Sequence, residues 1–299
     1  MNRTTTKIWT KQIKSVLLYF SLVALMLLTA CEETVDDIDL PNADAKIVLY
    51  SFIEAGTDTV TAELYRSRPY FGEDDSIYTS ARLIDNANVQ LSNGSDKIQL
   101  TYDPAKQLYL SPTNSFDIQF GKQYTITASA PGMTSVKGKC TVPASLPGDF
   151  DITDQYDIQQ NSYQNEIALE IEVTDIPGQE NFYRMIYYEQ MVNWQNDTVF
   201  TAKDYIWEAG VFTKVFTDLH KNGKNISIRA IVSEFQNPKK IRLKLLSTDE
   251  HYYQYHHKLN HFSYNDPFSE PTIIYTNIEN GLGVFASYTS RTKDYTLTP

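Results

Sequence analysis

The residues best suited to chemistry lie in one short segment, DEHYYQYHHKL, from Asp249 to Leu259. His257 and His261 are four apart, so on a helix they share a face and can jointly hold a metal. His251 stands a turn and a half away, and Asp249 or Glu250 could add a carboxylate. The zinc-protease pattern, however, needs Glu directly after the first His, and Lys258 occupies that place. Solvated helix histidines are the simpler reading, and no metal is expected. Cys140, in KGKCTVP, has a strand-like context and reads as an inert core residue. A catalytic thiol wants a nearby His, and all five histidines lie at 220 or beyond. The Gly281-Leu282-Gly283 run would cradle phosphate only with a following helix and usually a Lys, whereas a β run follows it. With no Ser-His-Asp set or flanking carboxylate pair to assemble, the sequence names no catalytic residue and no cofactor.

The element expected to carry the histidines is a helix over 248–261. Ser247 or Thr248 caps it, Glu250 completes a capping box, and Tyr252, Tyr255, His256 and Leu259 form one face. Behind it comes the most constrained stretch of the chain, NDPFSEPTIIYTNIENGLGVFASY, from Asn265 to Tyr288. Pro267 and Pro271 enforce an extended entry. Thr272 to Thr276 reads as a strand, Asn277, Asn280, Gly281 and Gly283 as the structural motif of a turn, and Val284 to Tyr288 as the closing strand. At least one of the two glycines should have positive φ, and the Asn277 and Asn280 amides should satisfy turn backbone groups. Ile278, Leu282, Val284 and Phe285 should pack beneath the helix. An exposed position such as Glu279 would belong to any partner surface.

The rest of the chain reads as β structure. Lys46 to Glu54, Asp58 to Arg66, Asn88 to Leu91, Lys97 to Tyr102, Tyr124 to Ala130 and Ser135 to Val142 look like short strands with turns such as Asn93-Gly94 between them. They predict an N-terminal sandwich over 45–146, immunoglobulin-like or transthyretin-like. Within it, the loop from Arg68 to Arg82 carries Tyr70, Phe71, Glu73, Asp74, Asp75 and Tyr78 and is read as solvated. Residues 147–161, with Pro147-Gly148 and the acidic, apolar-poor run of Asp149, Asp151, Asp154 and Asp157, are expected to be a linker, and the spacing of these acids does not match a calcium loop. Glu166 to Thr174, Phe182 to Val192, Val199 to Ala202, Val211 to Phe216, Ile226 to Val232 and Lys240 to Leu246 then predict a C-terminal β domain over 162–299, a sandwich or sheet with one packed helix. The predicted class is therefore all-β, with two antiparallel domains.

Residues 1–30 carry Arg3, Lys7, Lys11 and Lys14, an apolar run from Val16 to Leu28, and then Leu28-Thr29-Ala30 before Cys31. This predicts a secretory leader of the lipobox type, cleaved ahead of Cys31, which would receive a diacylglyceryl thioether and an acyl chain such as palmitate on its freed amine. The apolar run is too short, and too broken by Ser21, for a transmembrane helix. Residues 31–44 form an acidic tether with Glu32, Glu33, Asp36, Asp37 and Asp39. Without the four basic residues of the leader, 22 basic residues face 37 acids, a formal charge of −15. Such a domain is a poor nucleic-acid binder and must reach a membrane through lipid rather than through a basic patch. Once Cys31 is acylated, Cys140 has no intrachain disulfide partner.

NDPFSEP with TNIENGLGVFASY, together with KIVLYSFIE, RSRPY, NANVQLSNG, YTITASAPGM, TVP and DEHYYQYHHKL, resembles the Bacteroidota lipoprotein family of domain of unknown function 4249 (DUF4249) over about residues 44–290. The resemblance implies a lipid-anchored outer-membrane protein, non-enzymatic, working with a TonB-dependent transporter. An acidic run after the lipid Cys is similar to the signal for surface export in that lineage, with a plain hydrophilic linker, and a periplasmic face, as the alternative. An extracellular polymer hydrolase and an adhesive or scaffolding role are the competing functions. Asp58-Thr59-Val60, Asp75-Ser76-Ile77 and Asp197-Thr198-Val199 resemble the O-glycosylation triplet of the same lineage, which makes Thr59, Ser76 and Thr198 candidate acceptors.

Overall fold

A computed structural model describes residues 44–57, 59–67, 82–112, 116–157, 166–192, 195, 197–203, 215–219, 222–233, 240–260 and 274–297. Residues from Asp44 onward form one compact unit. Its N-terminal strands are β1 (Ile47–Glu54), β2 (Thr61–Arg66), β3 (Asn88–Ser92), β4 (Lys97–Asp103), β5 (Leu108–Leu110), β6 (Gln123–Ser129), β7 (Val136–Thr141) and β8 (Phe150–Asp157). Next come β9 (Glu166–Thr174), β10 (Phe182–Val192), β11 (Thr198–Lys203), β12 (Val215–Thr217), β13 (Asn225–Ser233) and β14 (Lys240–Thr248). The helix α1 (Glu250–Asn260) precedes β15 (Ile278–Glu279) and the long β16 (Leu282–Thr296). The protein is all-β, with one helix among the described residues.

Alternation in the sequence makes the strands two-faced. In β1, Ile47, Leu49 and Ile53 are buried while Tyr50 and Phe52 point to the opposite side, and in β14 Ile241, Leu243 and Leu245 are buried while Arg242 and Lys244 point away. Asn93-Gly94 closes the β3–β4 hairpin: Asn93 Oδ1 accepts from the Ser95 and Asp96 amides, and Gly94 has φ +96°.

Twelve strands run in the order β11-β10-β14-β16-β1-β2-β5-β4-β3-β6-β7-β15, with β12 attached to β10, and β13-β9-β8 form a separate small sheet. The β1–β16 pair is parallel, with Val48 opposite Leu282 and Glu54 opposite Tyr288. Since β15 and β16 are joined by the turn at Asn280-Gly281, the path from β16 through β1 to β7 returns to the same hairpin and encloses a core. That core holds Leu49, Leu64, Leu91, Tyr124, Ile126 and Cys140, with Ile278 and Phe285 supplied from the C-terminal end. A second core lies between the small sheet (Phe150, Leu169, Ile171, Val173) and the inner face of β10 and β14 (Tyr183, Met185, Leu243, Leu245), closed by Leu297. On the outer face of the large sheet, α1 buries Tyr252 against Leu246, Val284 and Ala286, with Tyr50, Phe52, Ile186, Tyr255 and Tyr288 around them.

Three expectations differ. The segment read as the 147–161 linker holds β8, which pairs with β9 from Phe150↔Val173 to Asp157↔Glu166. Acids with few apolar residues look like linker in sequence, yet two apolar side chains, Phe150 and Ile152, pack into or against the second core. The sheets are not purely antiparallel, because β16 aligns with β1. The antiparallel two-domain division also meets strands that cross it, since β15 pairs with β7 and β16 with both β1 and β14.

Candidate functional site

The hairpin β15–β16 is held from several sides. Gly283 has φ +97°, and a Cβ there would lie 2.1 Å from the Leu49 carbonyl oxygen, so the close β1–β16 approach requires glycine twice over. At Gly281 the obstacle is packing, since a Cβ would sit 2.6 Å from Val136 Cγ1 and 2.7 Å from the Ile47 oxygen. Asn280 itself takes a left-handed φ of +61°. The Asn277 amide bridges strands: Nδ2 donates to the Phe285 oxygen at 2.7 Å and the Lys139 oxygen at 3.0 Å, while Oδ1 accepts from Phe285 N at 2.9 Å. It thereby ties β16 to β7.

Packing of the stretch departs from the expectation that it all lies beneath α1. Val284 does, but Ile278 and Phe285 point into the enclosed core, Phe285 because successive residues of a strand face opposite sides, and Leu282 is exposed. Residues 274–277 are not strand, and Thr272 lies outside the described residues along with Asn265 to Pro271.

The cap of α1 is Asp249, whose Oδ1 accepts from Tyr252 N at 2.8 Å. Ser247 and Thr248, expected as caps, are the last residues of β14 and pair with Tyr183 and Phe182 of β10. Sheet pairing carries the strand two residues further than the local capping signal suggests. Asp249 Oδ2 accepts from Ser287 N at 3.0 Å and Ser287 Oγ at 2.9 Å, so one carboxyl joins the helix to β16. Burial pushes this carboxyl up to about 7 against the pull of its donors, the Tyr252, Ser287 and Thr141 amides and the Ser287 hydroxyl. Burial also holds the nearby Cys140 thiol well above its ordinary range, which keeps it from being a thiolate.

The histidines are engaged with aromatic rings. His256 stacks on Tyr252 at 4.2 Å and sits 5.4 Å from Phe52, and His257 lies 5.4 Å from Tyr253. His251 Nδ1 is 2.6 Å from the Tyr275 hydroxyl, and burial lowers its pKa. His261, the second half of the candidate metal pair, lies outside the described residues; among those described, no three His, Cys, Asp or Glu side chains converge as metal ligands.

The outer face of the sheet also carries a groove of about 320 Å³, lined by Tyr188, Phe200, Arg242, Lys244, Ser290 and Thr292. They come from β10, β11, β14 and β16, and strand alternation turns all of them to the side opposite the second core. Arg242 lies 4.0 Å over the Phe200 ring and donates from Nε (2.6 Å) and Nη2 (3.1 Å) to Asp294, whose carboxyl this bonding holds below its usual range. Lys244 donates to Glu54 at 3.1 Å and lies 5.2 Å over the Tyr288 ring, and Ser290 Oγ donates to the same Glu54. The groove is thus walled by aromatic rings and by cations already oriented through carboxylates they bond.

The family model described as domain of unknown function (DUF4249) matches residues 33–294. The chain belongs to this family. No curated protein matches it. The match spans both the glycine hairpin and the groove, so each is a feature of the DUF4249 region rather than of an appendage.

Of the other candidates in this DUF4249 chain, Cys31 and Ser76 lie outside the described residues. Thr198 is exposed at the start of β11, whereas Thr59 is half-buried. Sequence reading missed the groove altogether. Its one local trace was the alternation of Arg242 and Lys244 on β14, and nothing in the sequence placed Phe200 or Ser290 beside them. It also missed Gly138, where a Cβ would sit 2.7 Å from Ile278 Cδ1 and 2.8 Å from Phe285 Cβ.

Proposed function

We propose that this protein is a lipid-anchored, non-enzymatic accessory or binding protein of the outer membrane, exposed at the cell surface and associated with a TonB-dependent transporter. The observation that carries this reading is the leader ending Leu28-Thr29-Ala30-Cys31, with its basic start and short apolar run. In support, the compact unit that holds the described residues starts at Asp44, and the acids after Cys31 precede it, as a tether would. A groove with oriented donors and aromatic walls suits binding.

The anchor is tested by fractionating cells that express the wild type or Cys31→Ala. The wild type is expected in the membrane pellet and to resist a high-salt wash, because acyl chains and not charge hold it. The variant is expected to be soluble or to keep its leader. Retention of a leader-cleaved Cys31→Ala protein in salt-washed membranes contradicts the proposal.

A further inference from the structure

The geometry points to a neutral saccharide as the ligand of the groove between Tyr188, Phe200, Arg242, Lys244, Ser290 and Thr292. This rests on the reading of the protein as a binding protein and adds the chemical class of what it binds. Two features select that class.

The first is charge. Arg242 and Lys244 look like an anion site, but each already holds a carboxylate: Arg242 binds Asp294 through two nitrogens, and Lys244 binds Glu54. The four groups sum to zero, and an incoming anion would meet Asp294 and Glu54 within hydrogen-bond distance of the cations. Lys240, 3.4 Å from Asp294, adds one positive charge at the rim. A neutral hydroxyl meets no such opposition. It can accept from Arg242 Nη1, which Asp294 leaves open, or from the Lys244 ammonium, and it can exchange hydrogen bonds with Thr292.

The second is rigidity and surface. The guanidinium is held by the Phe200 ring it lies over and by its two bonds to Asp294, so its direction is set before a ligand arrives. All lining groups stand on strands whose neighbours are hydrogen-bonded, β11 to β10, β10 to β14 and β14 to β16. A sugar ring has both a hydroxyl edge and an apolar C–H face, and Tyr188 beside this donor array offers the apolar contact. The volume of about 320 Å³ is at the small end of ligand pockets, roughly 300–1,000 Å³, and suits one or two pyranose rings of a longer chain.

The test is titration calorimetry on the full-length protein in detergent with maltohexaose, cellohexaose, xylohexaose, laminarihexaose and mannohexaose, beside trigalacturonate and inorganic phosphate. At least one neutral hexasaccharide is expected to bind with Kd below roughly 1 mM, and both anions at least about tenfold more weakly. Arg242→Gln should weaken that binding about tenfold or more. Because Arg242→Gln also releases Asp294, Thr292→Trp is the second variant: it fills the groove from an exposed position and removes no hydrogen bond seen in the structure. It should abolish binding with an unchanged unfolding midpoint. Failure of every neutral hexasaccharide, tighter binding of either anion, or wild-type affinity in Thr292→Trp overturns the assignment. Membrane anchoring is read by fractionation, independently of sugar titration, so either idea can fail without the other.

Discussion

Asp249 shows how one side chain can join elements that a local reading keeps apart. Its carboxyl caps α1 through Tyr252 N and holds β16 through Ser287, in surroundings that raise its pKa to about 7. In the unfolded chain the same group returns to about 3.9. A group whose folded pKa lies above its unfolded one gives stability that is fully present below about pH 4 and is lost as pH rises through 7. The loss over that window is on the order of 4 kcal/mol. Asp249→Asn removes this titration while keeping a capping oxygen. Urea unfolding of wild type and variant from pH 4 to pH 8 should show the wild type losing stability relative to the variant across the window. Parallel pH profiles for the two proteins would count against the buried, titrating carboxyl. The sequence made Asp249 visible as a residue near the helix start, but not its role. The capping template pointed to Ser247 or Thr248, and the pairing of both with β10 moves the cap to Asp249.

At the scale of elements, most strands were legible because their apolar residues alternate. Glu166–Thr174 and Phe182–Val192 stand where the pattern put them. β5 was not visible, since three residues carry no period, and β8 was hidden by its acids. The glycine hairpin was legible as a constrained turn, though not as a seam between β1, β7 and β16. Its two supports differ in kind and separate by mutation. Gly94 and Gly283 both have positive φ, but a Cβ at Gly94 meets nothing within 4 Å whereas one at Gly283 meets Leu49 O at 2.1 Å. Gly94→Ala should therefore cost about 1 kcal/mol, and Gly283→Val about 3 kcal/mol or more, since strain and backbone collision add. Asn277→Ala should cost about 1–3 kcal/mol by leaving the Phe285 amide and carbonyl without their partner. Urea unfolding midpoints check all three. A Gly281→Val, Gly283→Val double variant that unfolds like the wild type contradicts the seam.

Across the whole molecule, the C-terminal strand ties the fold together. β16 pairs with β1 and β14, and Phe285 enters the enclosed core while Leu297 closes the second. Composition and alternation revealed an all-β protein, but a pairing between residues 48 and 282 leaves no trace in a single sequence. The groove escaped notice for the same reason: its walls come from four strands brought together only by that sheet. A sheet so integrated makes a rigid body, and Glu279 on the edge strand β15 is exposed to any partner. The most direct test of the account is affinity purification of the protein from detergent-solubilised cell membranes, with the retained proteins identified by mass spectrometry. A TonB-dependent transporter recovered with the wild type at near-equal amounts, and depleted with a stably folded Glu279→Lys variant, is the predicted result. Recovery of the protein without any such transporter, even after chemical cross-linking of intact cells, would contradict it.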